Sequence, residues 1–296
     1  MVIANPNAGG VDRRALDAAV GVLAAAAPTE VREPEGPDGL DAVLAELEDR
    51  VPVVAGGDGS LHLIVNRLRR LGALDRVAVG LLPLGTGNDF ATAVGLPLDA
   101  VAAAQSLATG RRRRFDLLED DTGTVVVNAA HLGLGAEAAA AAAGGKARLG
   151  PLAYALGALL AGAREEGCTL QVSVDGAACP TDGPLLMVAV ANGPSIGGGT
   201  PLCPPARPDD GILDVVLVAD TGAAARLGFA RALRAGTHLD RDDVRHLRGT
   251  SVRISGEPVP EDADGELRGE LTTRRYRVLP GAWSLLGAPA HGGGPA

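Results

Sequence analysis

The chain has 296 residues, which is enough for one large or two medium domains. Hydrophobic residues make up 46 % of it and aromatic residues only 2 %, so its cores must be built mainly from Ala, Val and Leu. The net charge of -9 argues against a nucleic-acid partner, because binding the phosphates of a duplex requires a positively charged surface. The composition therefore predicts a compact, soluble protein that does not bind nucleic acid.

Cysteine usage and the length of the apolar runs indicate a cytoplasmic protein. The three cysteines, Cys168, Cys179 and Cys203, have no CxxC spacing, which predicts neither a disulfide framework nor a zinc site. The longest uncharged run, residues 149–163, is shorter than the ~20 residues that a membrane-spanning helix needs. The segment 1–6 has the pattern of a strand and not of a signal peptide. We therefore expect a cytoplasmic location, with peripheral membrane contact left open.

Strands and helices alternate at short spacing through the first third of the chain. In chain order, the patterns predict strands at 1–6, 51–57 and 76–88 and helices at 12–27, 39–50, 60–72 and 88–97. This alternation predicts an α/β domain with an open parallel sheet over residues 1–111. Ligands of such sheets bind beyond the carboxyl ends of the strands, which is where this chain places its glycine clusters.

Beyond Arg111 the pattern changes to short apolar stretches separated by turn residues. These stretches predict a mainly antiparallel β-sandwich over residues 112–280. Helices are predicted at 138–165 and 221–236. Residues 281–289 are strand-like and are expected to return to the first domain, and the tail 290–296 is expected to be disordered.

Three glycine-rich clusters, at 5–10, 56–60 and 83–89, each follow a predicted strand. Each cluster can expose main-chain N–H groups at a helix N-terminus, which is a ready site for phosphate. Asp58 and Asp89 could hold Mg²⁺ through water. The chain has no GxxxxGK[ST] motif, so a phosphate would be held by the main chain and a metal ion and not by a P-loop lysine.

Seven sequence blocks occur in the order typical of one family. They are "NPNAGG", "GGDGSLHLIVN", "LPLGTGNDFA", "FDLL", "NAAHLGLGAE", "NGPSIGGGTPLCPPARPDDGILDV" and "DADGE". In these blocks, over nearly its whole length, the chain resembles the diacylglycerol kinase catalytic-domain family of lipid kinases, which includes bacterial diacylglycerol kinases, sphingosine kinases and ceramide kinases. The pair of GGDG and GTxND blocks at this spacing is the most specific part of the resemblance.

The resemblance implies an NAD-kinase-like α/β domain followed by a β-sandwich domain, with ATP bound in the cleft between them and Mg²⁺ as the metal. It also implies transfer of the γ-phosphoryl group to the hydroxyl group of a diacylglycerol-like or sphingoid lipid at a membrane surface. The residues that match the family's nucleotide-binding positions are Asn5, Pro6, Asn7, Gly56, Gly57, Gly59, Ser60, Leu61, His62, Gly85, Thr86, Asn88 and Asp89.

Catalytic and metal-binding residues follow from the same resemblance. Glu266 matches the general base that takes the proton of the acceptor hydroxyl, whereas some relatives assign this role to the aspartate that matches Asp58. The sequence leaves the division of labour between these two residues open. In bacterial relatives a structural Mg²⁺ lies at the block that matches "ARPDDGI". Here Asp210 would be its side-chain ligand, and Arg207 and Ile212 would supply main-chain carbonyl groups.

Four positions depart from the family pattern. Ser60 replaces the threonine of the GGDGT motif but keeps the hydroxyl group, and His62 stands where many bacterial members have asparagine. Leu63 replaces a common acidic residue, and Thr92 replaces an arginine. These changes leave the nucleotide site in place, but they leave the identity of the acceptor open, diacylglycerol included.

Several alternatives share part of the pattern. NAD kinases have the same GGDG loop, and a non-catalytic nucleotide- or lipid-binding protein of the same fold is a further alternative. The GxSxG match at 193–197 lacks the helix that must follow a nucleophilic serine, which argues against a hydrolase. In "GTGNDF" Phe90 replaces the third glycine of a dinucleotide-binding motif, which argues against a dinucleotide-binding oxidoreductase.

The sequence does not decide whether the chain forms a homodimer.

One basic run stands out in this acidic chain, the four arginines at 111–114. We interpret it as the solvated edge of a strand. A patch that contacts anionic lipid head groups is the alternative.

Overall fold

The computed structural model describes residues 1–4, 12–133 and 167–289. Contacts divide the chain into two compact units, Met1–Phe115 together with Gly281–Ala296, and Asp116–Pro280. The first glycine cluster, the helix predicted at 138–165 and the tail lie outside the described residues. Within the described residues, no helix is long and apolar enough to cross a bilayer.

The first unit alternates between strands and helices, as its sequence pattern predicts. Its elements are β1 (Val2–Ala4), α1 (Arg13–Ala26), β2 (Val31–Arg32), α2 (Gly36–Ala45), β3 (Val53–Gly56), α3 (Asp58–Arg70), β4 (Ala78–Pro83), α4 (Asp89–Ala93) and α5 (Ala100–Thr109). The sequence patterns missed α5, which begins where the Asp99 side chain accepts a hydrogen bond from the Ala102 N–H. Helix α2 begins earlier than predicted, because Pro37 suits the first turn of a helix.

The strands of the first unit form a parallel sheet in the order β4-β3-β1-β2. A segment near the chain's end joins it, since Ser284 pairs in parallel with Ala78. The register sets Gly56 opposite Pro83, which are the last residues of β3 and β4. The loops that follow these two strands therefore lie side by side at the carboxyl edge of the sheet.

Three aromatic side chains anchor helix α4 in the first unit. Phe90, Phe115 and Trp283 are fully buried, and their ring centroids lie 5.2–6.1 Å apart. Such aromatic contacts stabilise a core beyond the area that they bury. Because Phe90 directly follows Asp89, this cluster fixes the position of the loop between β4 and α4.

The second unit is mainly antiparallel. Its elements are β5 (Arg112–Asp120), which begins in the first unit, β6 (Val125–Val126), β7 (Ala129–Gly133), β8 (Leu170–Val174), β9 (Ala177–Cys179), β10 (Leu185–Ala191), β11 (Leu213–Ala219), α6 (Ala223–Ala235), β12 (Val244–Gly249), β13 (Ser251–Ala263) and β14 (Glu266–Leu286). The main strand order is β12-β11-β10-β7-β13-β14. The helix predicted at 221–236 is confirmed as α6.

Strand β10 shows how this unit builds two apolar layers. Its seven residues are all buried, and alternate side chains enter different clusters. Val188 and Val190 pack with residues of β8 and β13, whereas Met187 and Ala189 pack with Phe229 of α6. A strand that is apolar on both faces is therefore covered on both faces, as the uninterrupted run "LLMVAVA" requires.

Candidate active site

The glycines of the GGDG loop differ in the space that surrounds them. A Cβ atom on Gly56 would lie 2.5 Å from Oγ of Ser60, and one on Gly57 would lie 2.9 Å from Cα of Gly85. At Gly59, by contrast, a Cβ atom would meet nothing within 4 Å. The protein's own packing explains the first two glycines, whereas space stays open at Gly59 on the first turn of α3.

The loop after β4 is held by Asn88, which adopts a left-handed conformation with φ of 55°. Its side-chain Oδ1 accepts the N–H of Gly85 (3.2 Å), and its Nδ2 donates to the carbonyl of Gly85 (2.9 Å). A Cβ atom on Gly85 would lie 2.4 Å from Cα of Gly57. The two predicted phosphate loops thus touch through their main chains, and neither position tolerates a side chain.

Asp58 ties the same two loops together through its carboxylate. Oδ2 accepts the N–H of Asp89 (2.9 Å), and Oδ1 accepts the N–H of Phe90 (3.0 Å). Asp58 is the first residue of α3, and its side chain caps the N-terminus of α4, where a negative charge is favourable. This arrangement favours a positioning role for Asp58.

We expect Asp58→Asn to lower the free energy of unfolding by about 1–3 kcal/mol, because one buried N–H would then face an amide NH₂ group instead of an acceptor. Asp12→Asn is a matched control, since Asp12 caps the exposed start of α1 and asparagine caps helices as well as aspartate does. Urea unfolding of both variants measures the difference. If Asp58→Asn were as stable as Asp12→Asn, the role of Asp58 in joining the loops would be contradicted.

A second prediction concerns the contact between Gly57 and Gly85. Gly57→Ala would push the two main chains apart and should destabilise the fold by about 1–3 kcal/mol, as overpacking does elsewhere. Gly59→Ala should be neutral or stabilising by up to about 1 kcal/mol, because alanine suits a helix and the space is open. Thermal unfolding compares the two variants. Equal unfolding midpoints for Gly57→Ala and Gly59→Ala would contradict the proposed close contact between Gly57 and Gly85.

The remaining predicted nucleotide residues differ in exposure. Ser60 is half-buried and Thr86 is exposed, so both hydroxyl groups can reach a ligand. The side chains of Leu61 and His62 are buried, and the His62 ring lies 3.2 Å from Nδ2 of Asn66. Contact of Leu61 with a nucleotide would therefore come from its main chain. The predicted contacts of Asn5, Pro6 and Asn7 lie outside the described residues.

An apolar cavity of about 220 Å³ lies beside these loops and was not predicted from the sequence. It is lined by the end of β1, by the segment from Pro34 to Leu40 and by α3, where Ser60 and Leu63 contribute. At the position of Leu63, the resemblance described above implies an acidic residue. Its aliphatic side chain makes this wall of the cavity apolar.

Glu266 lies at the tip of the hairpin between β13 and β14. The turn residues Asp264 and Gly265 both have positive φ, 51° and 86°, as a type I′ turn requires. The Asp264 carboxylate accepts three main-chain N–H groups in the segment 127–129, at 2.6, 2.8 and 3.1 Å. Glu266 is exposed and directly follows this anchored turn, so the structure presents its carboxylate on a fixed support.

A buried histidine and carboxylate lie close to this turn. Nε2 of His131 is 3.8 Å from Oδ1 of Asp262, and Asp262 also accepts the N–H of Gly265. Burial lowers the pKa of His131 and raises the pKa of Asp262, and the two groups oppose these shifts in each other. Only the pairing of β13 with β7 brings them together, so no local pattern in the sequence could reveal them.

The predicted metal block forms a tight turn before β11. Asp210 accepts the N–H of Ile212 at 3.1 Å and forms an ion pair with Arg248. Asp116 supports the turn by accepting the N–H of Gly211 at 2.7 Å. Carboxylate and carbonyl oxygens are the ligands that Mg²⁺ prefers, so the donor types fit the predicted ion. Mg²⁺ at Asp210 would have to share this carboxylate with Arg248.

Two family models match the chain. Residues 1–119 match the diacylglycerol kinase catalytic domain, and residues 128–287 match the YegS C-terminal NAD kinase beta sandwich-like domain. The chain belongs to this family of lipid kinases. The expected family and the expected pair of domains, one with a parallel sheet and one sandwich-like, are thereby confirmed.

Relatives and solved structures agree with this family. A protein of Stenotrophomonas maltophilia named "Probable lipid kinase YegS-like" is 31 % identical over 255 residues, covering 80 % of this chain and 81 % of its own. A protein of the same name from Xanthomonas euvesicatoria pv. vesicatoria is 34 % identical over 250 residues, covering 79 % and 80 %. The structure of a candidate diacylglycerol kinase from Bacillus anthracis has a TM-score of 0.80 at 26 % identity, over 96 % of this chain and 95 % of that one.

Proposed function

We propose that this lipid kinase uses ATP and Mg²⁺ and transfers the γ-phosphoryl group to the hydroxyl group of a lipid. The observation that carries the proposal is the pair of glycine loops joined at Gly57 and Gly85, with open space at Gly59 on the first turn of α3. The two loops pack against each other, and they leave open space at the N-terminus of a helix. Such a helix N-terminus can bind an anion.

Support for a nucleoside triphosphate comes from the first unit. The N-terminus of α3, which has 13 residues, offers main-chain N–H groups and a favourable dipole to phosphate groups. Ser60 and Thr86 add hydroxyl donors on the two loops. The apolar cavity that Ser60 and Leu63 line supports the proposal, because a flat purine base could bind there beside this phosphate site.

In the second unit, a structural Mg²⁺ would be held by the carboxylate of Asp210 and the carbonyl groups of Arg207 and Ile212. In the first unit, a separate Mg²⁺ at the phosphate groups would be held through water by Asp89. When bound at the phosphates, Mg²⁺ neutralises the charge that develops during transfer. The chain's own part is to position the oxygens, and the turn supported by Asp116 does this for the second unit.

We assign the general base to Glu266. Its carboxylate takes the proton of the acceptor hydroxyl while that oxygen bonds to the γ-phosphorus. The bond between this phosphorus and the bridging oxygen of ATP breaks, and ADP leaves with the electron pair. Asp58 is the weaker candidate, because each of its oxygens already accepts a main-chain N–H.

Transfer of labelled phosphate from γ-labelled ATP tests the proposal directly. The acceptors would be diacylglycerol, sphingosine, ceramide and a crude lipid extract in mixed micelles, with NAD⁺ as a separate acceptor. We expect label in a lipid, and the lipid that takes it identifies the acceptor class at the membrane surface. Label in NAD⁺ alone would make the chain an NAD kinase, and ATP binding without any transfer would favour a non-catalytic member of the fold.

Gly59 separates nucleotide contact from folding. We expect Gly59→Ala to weaken ATP binding about tenfold, equivalent to ~1.4 kcal/mol, because the new methyl group would occupy the open space proposed for phosphate. Isothermal titration with ATP and Mg²⁺ measures the change. Unchanged affinity in this variant would show that the phosphates do not approach α3 at this position.

A further inference from the structure

Three potential metal ligands meet in the second unit, and none of them is a residue of the proposed kinase site. They are Cys203, Asp214 and His246, and their ligand atoms all lie within 4.8 Å of one another. Cys203 and Asp214 are fully buried, whereas the His246 side chain is 23 % exposed. A buried trio of thiol, carboxylate and imidazole with one exposed edge has the form of a metal site that solvent ions can reach.

We propose that Cys203, Asp214 and His246 bind a zinc ion. Thiolate sulfur, carboxylate oxygen and imidazole nitrogen are the three side-chain donors that Zn²⁺ uses in proteins. A thiolate and a carboxylate together balance the two positive charges of the ion, so the bound site is neutral in its buried surroundings. The ion replaces the proton of the Cys203 thiol, which leaves to solvent.

The strand register fixes two of these ligands. Asp214 lies on β11 opposite Arg248 of β12, and His246 lies opposite Val216, so Asp214 and His246 are diagonal neighbours on one face. Nε2 of His246 is 2.6 Å from Oδ1 of Asp214. Ligand atoms around tetrahedral Zn²⁺ lie roughly 3.3–3.8 Å apart, given bonds of about 2.0–2.3 Å. Side-chain shifts of about 1 Å would therefore admit the ion.

An unmet acceptor at the same place supports the proposal independently. Within the described part of the chain, Oδ2 of Asp214 is buried and has no hydrogen-bond partner. A buried polar atom without a partner destabilises the folded state. Arg248 compensates in part, with Nε 3.3 Å from the other oxygen, but its side chain is 45 % exposed and also pairs with Asp210. A bound cation would satisfy the carboxylate fully.

The zinc site is distinct in its chemistry from the proposed magnesium turn. Mg²⁺ is bound by oxygen ligands, and sulfur and imidazole select softer ions. The two sites are nevertheless linked, because Cys203 and Asp214 flank the segment 207–212 that carries the proposed magnesium ligands. Zinc would hold both ends of this segment, so its binding should order the turn at 207–212. This effect does not depend on which acceptor the kinase phosphorylates.

Metal analysis of the purified full-length chain tests the proposal. After loading with Zn²⁺ and dialysis against a weak chelator, we expect one zinc ion per chain. With Co²⁺ in its place, a sulfur-to-cobalt charge-transfer band should appear in the near ultraviolet. Cys203→Ser should abolish this band and weaken Zn²⁺ binding by more than about 100-fold, since loss of a direct ligand should exceed the 10–100-fold effects of outer-shell changes.

Two further variants keep the test decisive. Cys179→Ser removes a cysteine outside the site and should retain zinc and the cobalt band. His246→Gln changes the most exposed ligand, so it should fold, as circular dichroism can verify, and still lose zinc. Zinc retained equally by Cys203→Ser and His246→Gln, or absent from the wild type after loading, would overturn the proposal. Excess Mg²⁺ should not displace the zinc ion.

Discussion

Replacing Glu266 by glutamine is expected to lower the rate of phosphoryl transfer by about 10²- to 10⁴-fold, the usual contribution of a general base. Glutamine has the same shape but cannot accept the proton of the acceptor hydroxyl. Because Glu266 is exposed, the free energy of unfolding should change by less than about 0.5 kcal/mol. Initial rates at saturating ATP, together with ATP titrations, measure the effect, and the affinity for ATP should stay within about twofold.

Glu270→Gln is the matched control for this variant. Glu270 lies on the same strand, β14, is also exposed and pairs with Pro260 of β13. The control removes the same charge from the same strand and should leave the rate unchanged. If Glu266→Gln retained the wild-type rate, the assignment of the base would be wrong, and Asp58 would become the leading candidate.

Local sequence patterns were sufficient for most of the first unit. β3 and β4 are uninterrupted apolar runs that end at glycine-rich turns, and these features depend only on neighbouring residues. Strand β14 was harder, because its first ten residues are mostly exposed and charged or polar and therefore lack the alternation of a half-buried strand. Its partner β13 holds it in place, and such pairing is not encoded locally.

The candidate site also combines features that local sequence shows with features that depend on strand pairing. The glycine motifs were visible in the sequence, but the contact between Gly57 and Gly85 arises from the parallel register of β3 and β4. The cysteine spacing argued against a zinc site because that rule considers cysteines near each other in the chain. Asp214 and His246 are 32 residues apart and meet Cys203 only through the pairing of β11 with β12. The register of the strands therefore determines which residues meet in these sites, and the spacing of residues in the sequence does not reveal it.

Asp264 gives the largest expected effect on stability. Asp264→Asn would leave one buried N–H in segment 127–129 facing an amide NH₂ group and would turn the other two charge-assisted hydrogen bonds into neutral ones. We expect the free energy of unfolding to fall by about 3–5 kcal/mol, the sum of these three losses. Asparagine tolerates the left-handed conformation at this position, so the turn itself imposes no new strain.

Activity should fall as well, because Asp264 fixes the turn directly before Glu266. A displacement of about 1 Å in a catalytic group can cost about 100-fold in rate, and we expect a loss of this size at a temperature where the variant is folded. Asp175→Asn is the control: Asp175 and Gly176 form another turn with positive φ, and the Asp175 carboxylate accepts the N–H groups of Thr250 and Ser251. That variant should lose stability and keep its rate.

The comparison of Asp264→Asn with Asp175→Asn separates support for Glu266 from support for the sandwich in general. Urea unfolding gives the stability of each variant, and lipid phosphorylation assays below the unfolding transition give the rates. A rate loss shared equally by both variants would mean that activity follows overall stability. A loss confined to Asp264→Asn would mean that the carboxylate at the turn holds the base in position, because the two substitutions remove the same kind of hydrogen bond.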